Sequence, residues 1–122
     1  IDLCRAVTVQ AKSPHLPEYA AATSIPAKPS PSRTIGQLVE KGDWHMVREQ
    51  VLADVLTTSV IALRHLTSHA EIALDLEASA SAVGKAVLTA IPDSNFVRST
   101  YHPWARDRQR ASGLCGVVYR AE

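Results

Sequence analysis

Residues 34–66 read TIGQLVEKGDWHMVREQVLADVLTTSVIALRHL, and this stretch decides the fold because it holds two helix starts and one long amphipathic pattern. Thr34 precedes Gln37 by three positions, which is the spacing of a capping box at a helix N-terminus. Gly42 can adopt the left-handed conformation that ends a helix, and Asp43 can cap the next one. The stretch therefore predicts a short helix that ends just before Gly42 and a second helix that begins after Asp43.

The second helix carries a broad apolar stripe, because its apolar residues recur every three or four positions. These residues are Trp44, Val47, Val51, Leu52, Val55, Leu56, Val60 and Leu63. After a break near Thr67, Ser68 and Glu71 repeat the capping-box spacing and predict a third helix, which Pro92 ends. A shorter fourth helix is predicted around residues 96–101, because Pro103 blocks its continuation.

Three to four helices with short connections predict an all-α protein, built over residues 34–110 as a small antiparallel helical bundle. Residues 1–33 are predicted to form an extended arm, because five of the seven prolines lie between residues 13 and 31 and proline removes backbone donors. Residues 111–122 are predicted to form an irregular, extended C-terminal tail, since LCGVVY at 114–119 favours extended backbone.

The composition is that of an ordinary globular domain with a small core, at 46% hydrophobic, 20% charged and only 5% aromatic residues. The two ends are weakly basic, with a net +2 in residues 1–33 and +2 in residues 93–122, and residues 34–92 carry −3. Such small asymmetry argues against general nucleic-acid binding, which needs a dense Lys/Arg face. This charge distribution suits a chain whose two terminal regions bind an acidic protein surface or lipid head groups. The apolar runs are far shorter than the roughly 20 residues of a membrane-spanning helix.

Both ends of the chain are predicted to dock on a partner. In the arm, the residues assigned to docking are Pro14, Pro17, Pro26, Pro29 and Pro31. Near the C-terminus they are Trp104, Arg106, Arg108 and Arg110, a basic and aromatic segment that can bind acidic groups. The alternatives are a flexible linker for the arm and a solvated tail for the C-terminal segment.

The sequence contains no catalytic signature and predicts that the protein is not an enzyme and binds no cofactor. His65 and His69 stand one helical turn apart if the helix continues, a spacing that lets two imidazoles share a metal ion. The predicted break near Thr67 separates them, so they are predicted as surface or interface histidines rather than metal ligands. Asp75 and Glu77 lie about 200° apart around a helix, and both are predicted as solvated charges.

Cys4 and Cys115 are the two cysteines of the chain. A disulfide between them would stabilise the fold by up to roughly 4–5 kcal/mol in the chain-entropy model. Two free or separately buried thiols are the alternative, and the sequence leaves both options open.

Residues 38–48, LVEKGDWHMVR, followed by the apolar Val51 and Leu52, resemble the helix opening of the PsbQ-type extrinsic subunits of photosystem II. In that family an aliphatic pair, a polar turn, an acidic or amide residue, Trp and then Val-Arg recur, and a proline-rich leader precedes the bundle. The resemblance covers about residues 34–66. It implies a non-catalytic, peripheral protein of the chloroplast thylakoid lumen that docks on a photosynthetic complex, stabilises it and helps retain its inorganic cofactors without ligating them.

The resemblance also implies roles for individual residues. Trp44, with Val47, would be the buried anchor of the helix start, and Arg48 its polar companion. The partners would be protein subunits of a large membrane complex, with peripheral membrane contact and without nucleic acid or a small-molecule substrate. The chain departs from the family in its shorter helical core, in Pro103 and in its terminal cysteines. The alternatives are a helical interaction subunit of another organellar assembly and a ligand- or metal-binding helical protein, which requires a pocket with converging polar groups.

Overall fold

The computed structural model describes residues 15–28 and 33–114, and within these ranges every regular element is a helix. The α-helices are α1 (Leu16–Ala22), α2 (Thr34–Glu40), α3 (Trp44–Ser68), α4 (Leu76–Ala90) and α5 (His102–Leu114), and a π-helical segment, Val97–Tyr101, directly precedes α5. The prediction of an all-α protein is therefore confirmed. The chain divides into two compact units, Ile1–Ile72 and Ala73–Glu122, called here the N-terminal and C-terminal units.

Helix α1 corrects the prediction that proline keeps the whole N-terminal arm extended. Pro17 lies in the first turn of α1, where a missing N–H interrupts no intrahelical hydrogen bond. The His15 backbone N–H donates to the Glu18 carboxylate at 3.4 Å and supports this helix start. Five residues named in the sequence analysis lie outside the described ranges: Cys4, Pro14, Pro29, Pro31 and Cys115.

In the N-terminal unit, the segment after α1 runs antiparallel along α3. Three side-chain contacts join the two, and their residue numbers rise along the segment while they fall along α3. They are Arg64 to the Thr23 carbonyl (3.3 Å), Thr57 to the Pro26 carbonyl (2.7 Å) and Lys28 to the Asp54 carboxylate (2.8 Å). The apolar core of this unit includes Ile25 from the segment and, from α3, Ala53, Leu56, Val60 and Ile61.

The turn between α2 and α3 follows the sequence prediction. Gly42 has a φ of 71°, in the left-handed region, and the Asp43 side chain accepts a hydrogen bond from the Met46 backbone N–H at 3.2 Å. The predicted capping box is wrong in one detail, because Thr34 is the first helical residue and Arg33 occupies the N-cap position.

The start of the next helix differs more from the prediction. Helix α3 continues through Thr67 to Ser68, and α4 begins only at Leu76, so neither the break at Thr67 nor the helix start at Ser68 is observed. Asp75 is the N-cap of α4, where its carboxylate accepts from the Ala78 backbone N–H at 2.9 Å, rather than a merely solvated charge. Asp supplies an acceptor for the unpaired first-turn N–H groups, which decides this boundary.

In the C-terminal unit, α4 and α5 pack as an antiparallel hairpin. Tyr101 donates its hydroxyl hydrogen to the Ala80 carbonyl at 3.3 Å, and farther along α5 the Arg108 Nε lies 3.5 Å from Glu77 Oε2. Gly84 allows this approach, because a Cβ there would lie 3.3 Å from the Tyr101 ring.

Pro103 does not interrupt the last helix, contrary to the prediction. Residues 95–114 are continuously helical, and Pro103 is the second residue of α5, directly after the π-helical segment. In an α-helix a proline ring collides with the carbonyl four residues earlier, here that of Ser99. The π-helical turn before Pro103 is wider than an α-helical turn, and it moves this carbonyl relative to the ring. Residues 111–114 are also helical, so the predicted tail does not begin at 111, and residues 115–122 lie outside the described ranges.

None of the helices in the described part of the chain combines the length and the apolar character that crossing a bilayer requires.

Candidate docking surface

The exposed face of α3 is apolar along much of its length. Trp44, Arg48, Val51 and Val55 are separated by four, three and four residues, a spacing that places them on one face of a helix. Trp44 is 64% exposed, Val51 51% and Val55 55%, and Arg48 is exposed as well. These four residues are called the α3 stripe.

The position of the α3 stripe follows from how α3 packs within its own unit. Ala53, which is fully buried, lies about 180° around the helix from the stripe, and Thr57 and Val60 lie near it. Segment 23–28 covers this opposite face through the contact between the Pro26 carbonyl and Thr57, and Lys28 pairs with Asp54 at the side of the helix. The stripe therefore faces away from the core of the N-terminal unit.

The predicted burial of Trp44 as an anchor is wrong, because its side chain is the most exposed large apolar side chain of α3. Val47 is half-buried, and Arg48 lies at the surface. The periodic pattern could not distinguish a face that packs inside the unit from one that does not. The signal that could have identified the stripe is Arg48, a charge between Trp44 and Val51 on the same face.

The stripe has the residue types that dominate binding energy in protein interfaces. Trp and Arg are enriched among interface hot spots, and exposed apolar patches mark interaction sites. Trp44 offers a large aromatic surface, and Val51 and Val55 extend the stripe to about three helical turns. This arrangement can bind an apolar groove or helix on a protein partner.

The basic and aromatic segment near the C-terminus is arranged differently. Trp104 is half-buried, with its ring centroid 5.7 Å from that of Tyr101. The Arg108 Cζ lies 5.7 Å from the Trp104 ring centroid, a cation–π contact, and Arg108 also pairs with Glu77. Glu77 is thus not only a solvated charge, and Trp104 and Arg108 are engaged within their own unit.

The two remaining arginines of this segment point outward. Arg106 and Arg110 are exposed, and the Arg106 Nε lies 3.5 Å from the Asp107 carboxylate. Near the end of α5 an open groove of about 420 Å³ is lined by Glu77, Arg108, Ala111 and Ser112. The docking role predicted for the four residues of this segment stays a prediction.

The Tyr101 side chain contributes to the packing of the C-terminal unit. It is 1% exposed, and its burial raises the pKa of the phenol from 10.0 to about 12. The hydroxyl therefore stays neutral near pH 7.

The described residues place two histidines together. The imidazole centroids of His65 and His69 are 4.2 Å apart with an interplanar angle of 41°, because α3 continues past Thr67 and keeps the one-turn spacing. Over residues 15–28 and 33–114, no three or more His, Cys, Asp or Glu side chains form a group that could bind a metal ion.

Comparison of the chain with models of protein families, with curated proteins and with solved structures finds no match.

Proposed function

We propose that this chain is a non-catalytic accessory subunit that docks peripherally on a large photosynthetic membrane complex, photosystem II, and stabilises it in the chloroplast thylakoid lumen. The observation that carries the docking function is the α3 stripe, in which Trp44 is 64% exposed and in line with Val51 and Val55. The photosynthetic context rests on the resemblance of residues 38–48 to the PsbQ-type subunits. The antiparallel bundle over residues 34–110 remains a prediction within this proposal.

Burial of the α3 stripe alone supplies only part of the binding free energy that a stable complex requires. Burying the exposed parts of one Trp and two Val removes on the order of 200 Å² of apolar surface, about 5 kcal/mol before the costs of association. A standard interface uses roughly 800 Å² from each partner, so further contacts are required. We assign them to residues 1–14 of the N-terminal arm and to the exposed Arg106 and Arg110, whose charge suits acidic protein surfaces or lipid head groups.

A second candidate uses the same surface. The stripe supports protein docking in general, whereas only the sequence resemblance supports a photosynthetic partner. A helical interaction subunit of another organellar assembly is therefore the alternative, and the two differ in which complex the chain binds.

Co-sedimentation with photosystem II membranes, with mitochondrial inner membranes in parallel, separates these candidates. We expect saturable binding to photosystem II, and Trp44→Ala should weaken it about 30-fold, the effect of losing about 2 kcal/mol at a hot spot. His45→Ala is the matched control, because His45 is exposed on α3 about 100° from Trp44. Binding to the mitochondrial membranes alone would support the alternative. Binding that survives Trp44→Ala unchanged would reject the stripe as the docking surface.

A further inference from the structure

We propose that His65 and His69 at the C-terminal end of α3 form a surface binding site for a divalent transition-metal ion of the Zn²⁺, Ni²⁺ and Cu²⁺ class. This site is independent of the docking function. The imidazole centroids of the two residues, one helical turn apart, are separated by 4.2 Å, so rotation of the rings out of their tilted contact can bring one nitrogen of each to a shared ion at about 2.0–2.1 Å.

Hydrogen bonding assigns the proton of the His69 ring. The His69 Nδ1 lies 2.9 Å from the His65 carbonyl oxygen, and a carbonyl can only accept, so Nδ1 carries the hydrogen and donates it. The Ser68 hydroxyl donates to the same carbonyl at 2.8 Å, and its oxygen lies 3.1 Å from Nδ1. In the neutral ring the lone pair is therefore on Nε2. A metal-binding histidine commonly donates its other ring N–H to a backbone carbonyl in this way.

The end of α3 holds His69 over the preceding turn. Ala70 adopts a left-handed conformation with a φ of 55°, and its N–H donates to the Thr67 carbonyl at 3.1 Å. The Glu71 N–H donates to the Leu66 carbonyl at 3.0 Å, so the helix closes directly after His69. The second imidazole is thus positioned by backbone hydrogen bonds before any ion binds, which lowers the entropic cost of binding.

The two imidazole rings determine which metal ions the site prefers. Imidazole nitrogen suits Zn²⁺, Cu²⁺ and Ni²⁺, whereas Mg²⁺ prefers oxygen ligands. Since no third His, Cys, Asp or Glu of the described ranges joins the pair, two ligands come from these residues and water completes the coordination sphere. Such a site binds more weakly than a four-ligand structural zinc site. Its affinities should follow the Irving–Williams order, with Cu²⁺ tightest.

The test uses the full chain with its thiols alkylated, because Cys4 and Cys115 would compete for the same metals. Titration with ZnCl₂, followed by calorimetry and by NMR of the histidine ring nitrogens, should shift the His65 and His69 signals together at one equivalent. His65→Gln and His69→Gln should each weaken binding about tenfold or more. MgCl₂ should produce no shift.

His45→Gln is the matched control, since His45 is exposed on the same helix but has Lys41 and Glu49, not histidines, one turn away. It should bind Zn²⁺ as the unmodified sequence does, and circular dichroism should show that all three variants keep their helices. Equal affinity in His69→Gln and the unmodified sequence would overturn the proposal. An equal loss in His45→Gln, which would indicate scattered histidine binding, would overturn it as well.

Discussion

The same sequence pattern, Trp followed four residues later by Arg, opens the principal helix of one unit and the last helix of the other. In the C-terminal unit, Trp104 is half-buried beside Tyr101 and under the Arg108 guanidinium. In the N-terminal unit, Trp44 is 64% exposed on the face of α3 opposite the core. The difference teaches that the surroundings of each helix, not the pattern, decide whether such a pair is packed within its unit or exposed at the surface.

The two tryptophans differ in burial, and only for Trp44 does the structure contradict the prediction. Trp44, predicted as a buried anchor, is exposed on the α3 stripe, whereas Trp104 is half-buried and contacts Tyr101 and Arg108 within its own helical segment. Since each unit contains one Trp, Trp44→Phe and Trp104→Phe backgrounds give a fluorescence reporter for the other unit.

The largest expected contrast is between two ion pairs of the described residues, one in each unit. Asp54→Asn should destabilise the N-terminal unit by about 3 kcal/mol, because the Lys28 side chain is only 4% exposed and would keep a buried charge without its partner. Glu77→Gln should cost less than about 1 kcal/mol, because the Arg108 and Glu77 side chains are 39% and 22% exposed and the separation is 3.5 Å. Urea unfolding followed by circular dichroism measures both. A larger loss for Glu77→Gln than for Asp54→Asn would contradict this assignment.

The next contrast tests the tryptophans directly. Trp104→Ala should cost about 2–3 kcal/mol, somewhat less than a fully buried aromatic, since it removes the contacts with Tyr101 and Arg108. Trp44→Ala should change the free energy of unfolding by no more than about 0.5 kcal/mol, as is usual for an exposed side chain. Thermal and urea unfolding followed by circular dichroism compare them. Equal losses would mean that Trp44 is packed in solution and that the α3 stripe is not exposed.

How much of this architecture the sequence predicts depends on the range of the forces involved. The Gly42 turn, the Asp43 cap and the helix end before Pro92 were predictable, because each depends on a few adjacent residues. Helix α1 and the passage through Pro103 were not predicted, since both depend on where in a helical turn the proline falls. The exposure of Trp44 depends on which elements pack against α3, and periodicity along one helix carries no such information.

The raised pKa of Tyr101 predicts that the free energy of unfolding of the C-terminal unit depends on pH. Burial raises its pKa from 10.0 to about 12, so the folded state holds the phenolic proton more tightly than the unfolded state. This contribution is fully present below pH 10 and is lost as the pH rises from 10 to 12, by about 2–3 kcal/mol. Unfolding curves between pH 9 and 12 should show that Tyr101→Phe is less pH-sensitive than the unmodified sequence. Tyr19→Phe, in the N-terminal unit, is the control and should leave the pH profile of the C-terminal unit unchanged.

The N-terminal unit contains a buried amide side chain, that of Gln50. Gln50 is fully buried on α3, and neither its Oε1 nor its Nε2 has a hydrogen-bond partner among the described residues. Gln50→Met keeps the side-chain length and removes two polar atoms, so it should stabilise the unit by about 1–2 kcal/mol. Urea midpoints at constant m-value measure the gain. A loss of stability would show instead that the amide is hydrogen-bonded, either to solvent or to residues outside the described ranges.

The smallest contrast compares one helical glycine from each unit. Gly36 in α2 has no atom within 4 Å of an added Cβ, so Gly36→Ala should gain the helix propensity of alanine, about 0.5–1 kcal/mol. Gly84 in α4 would place its Cβ 3.3 Å from Tyr101 Cε1 and 3.3 Å from His102 Cδ2, so Gly84→Ala should lose most or all of that gain to crowding. Melting temperatures of the two single variants and of the double variant measure the difference. The effects should add, because the glycines belong to different units and share no contact residue. An equal gain at both positions would mean that α4 lies farther from Tyr101 and His102 in solution, without the close approach that Gly84 allows.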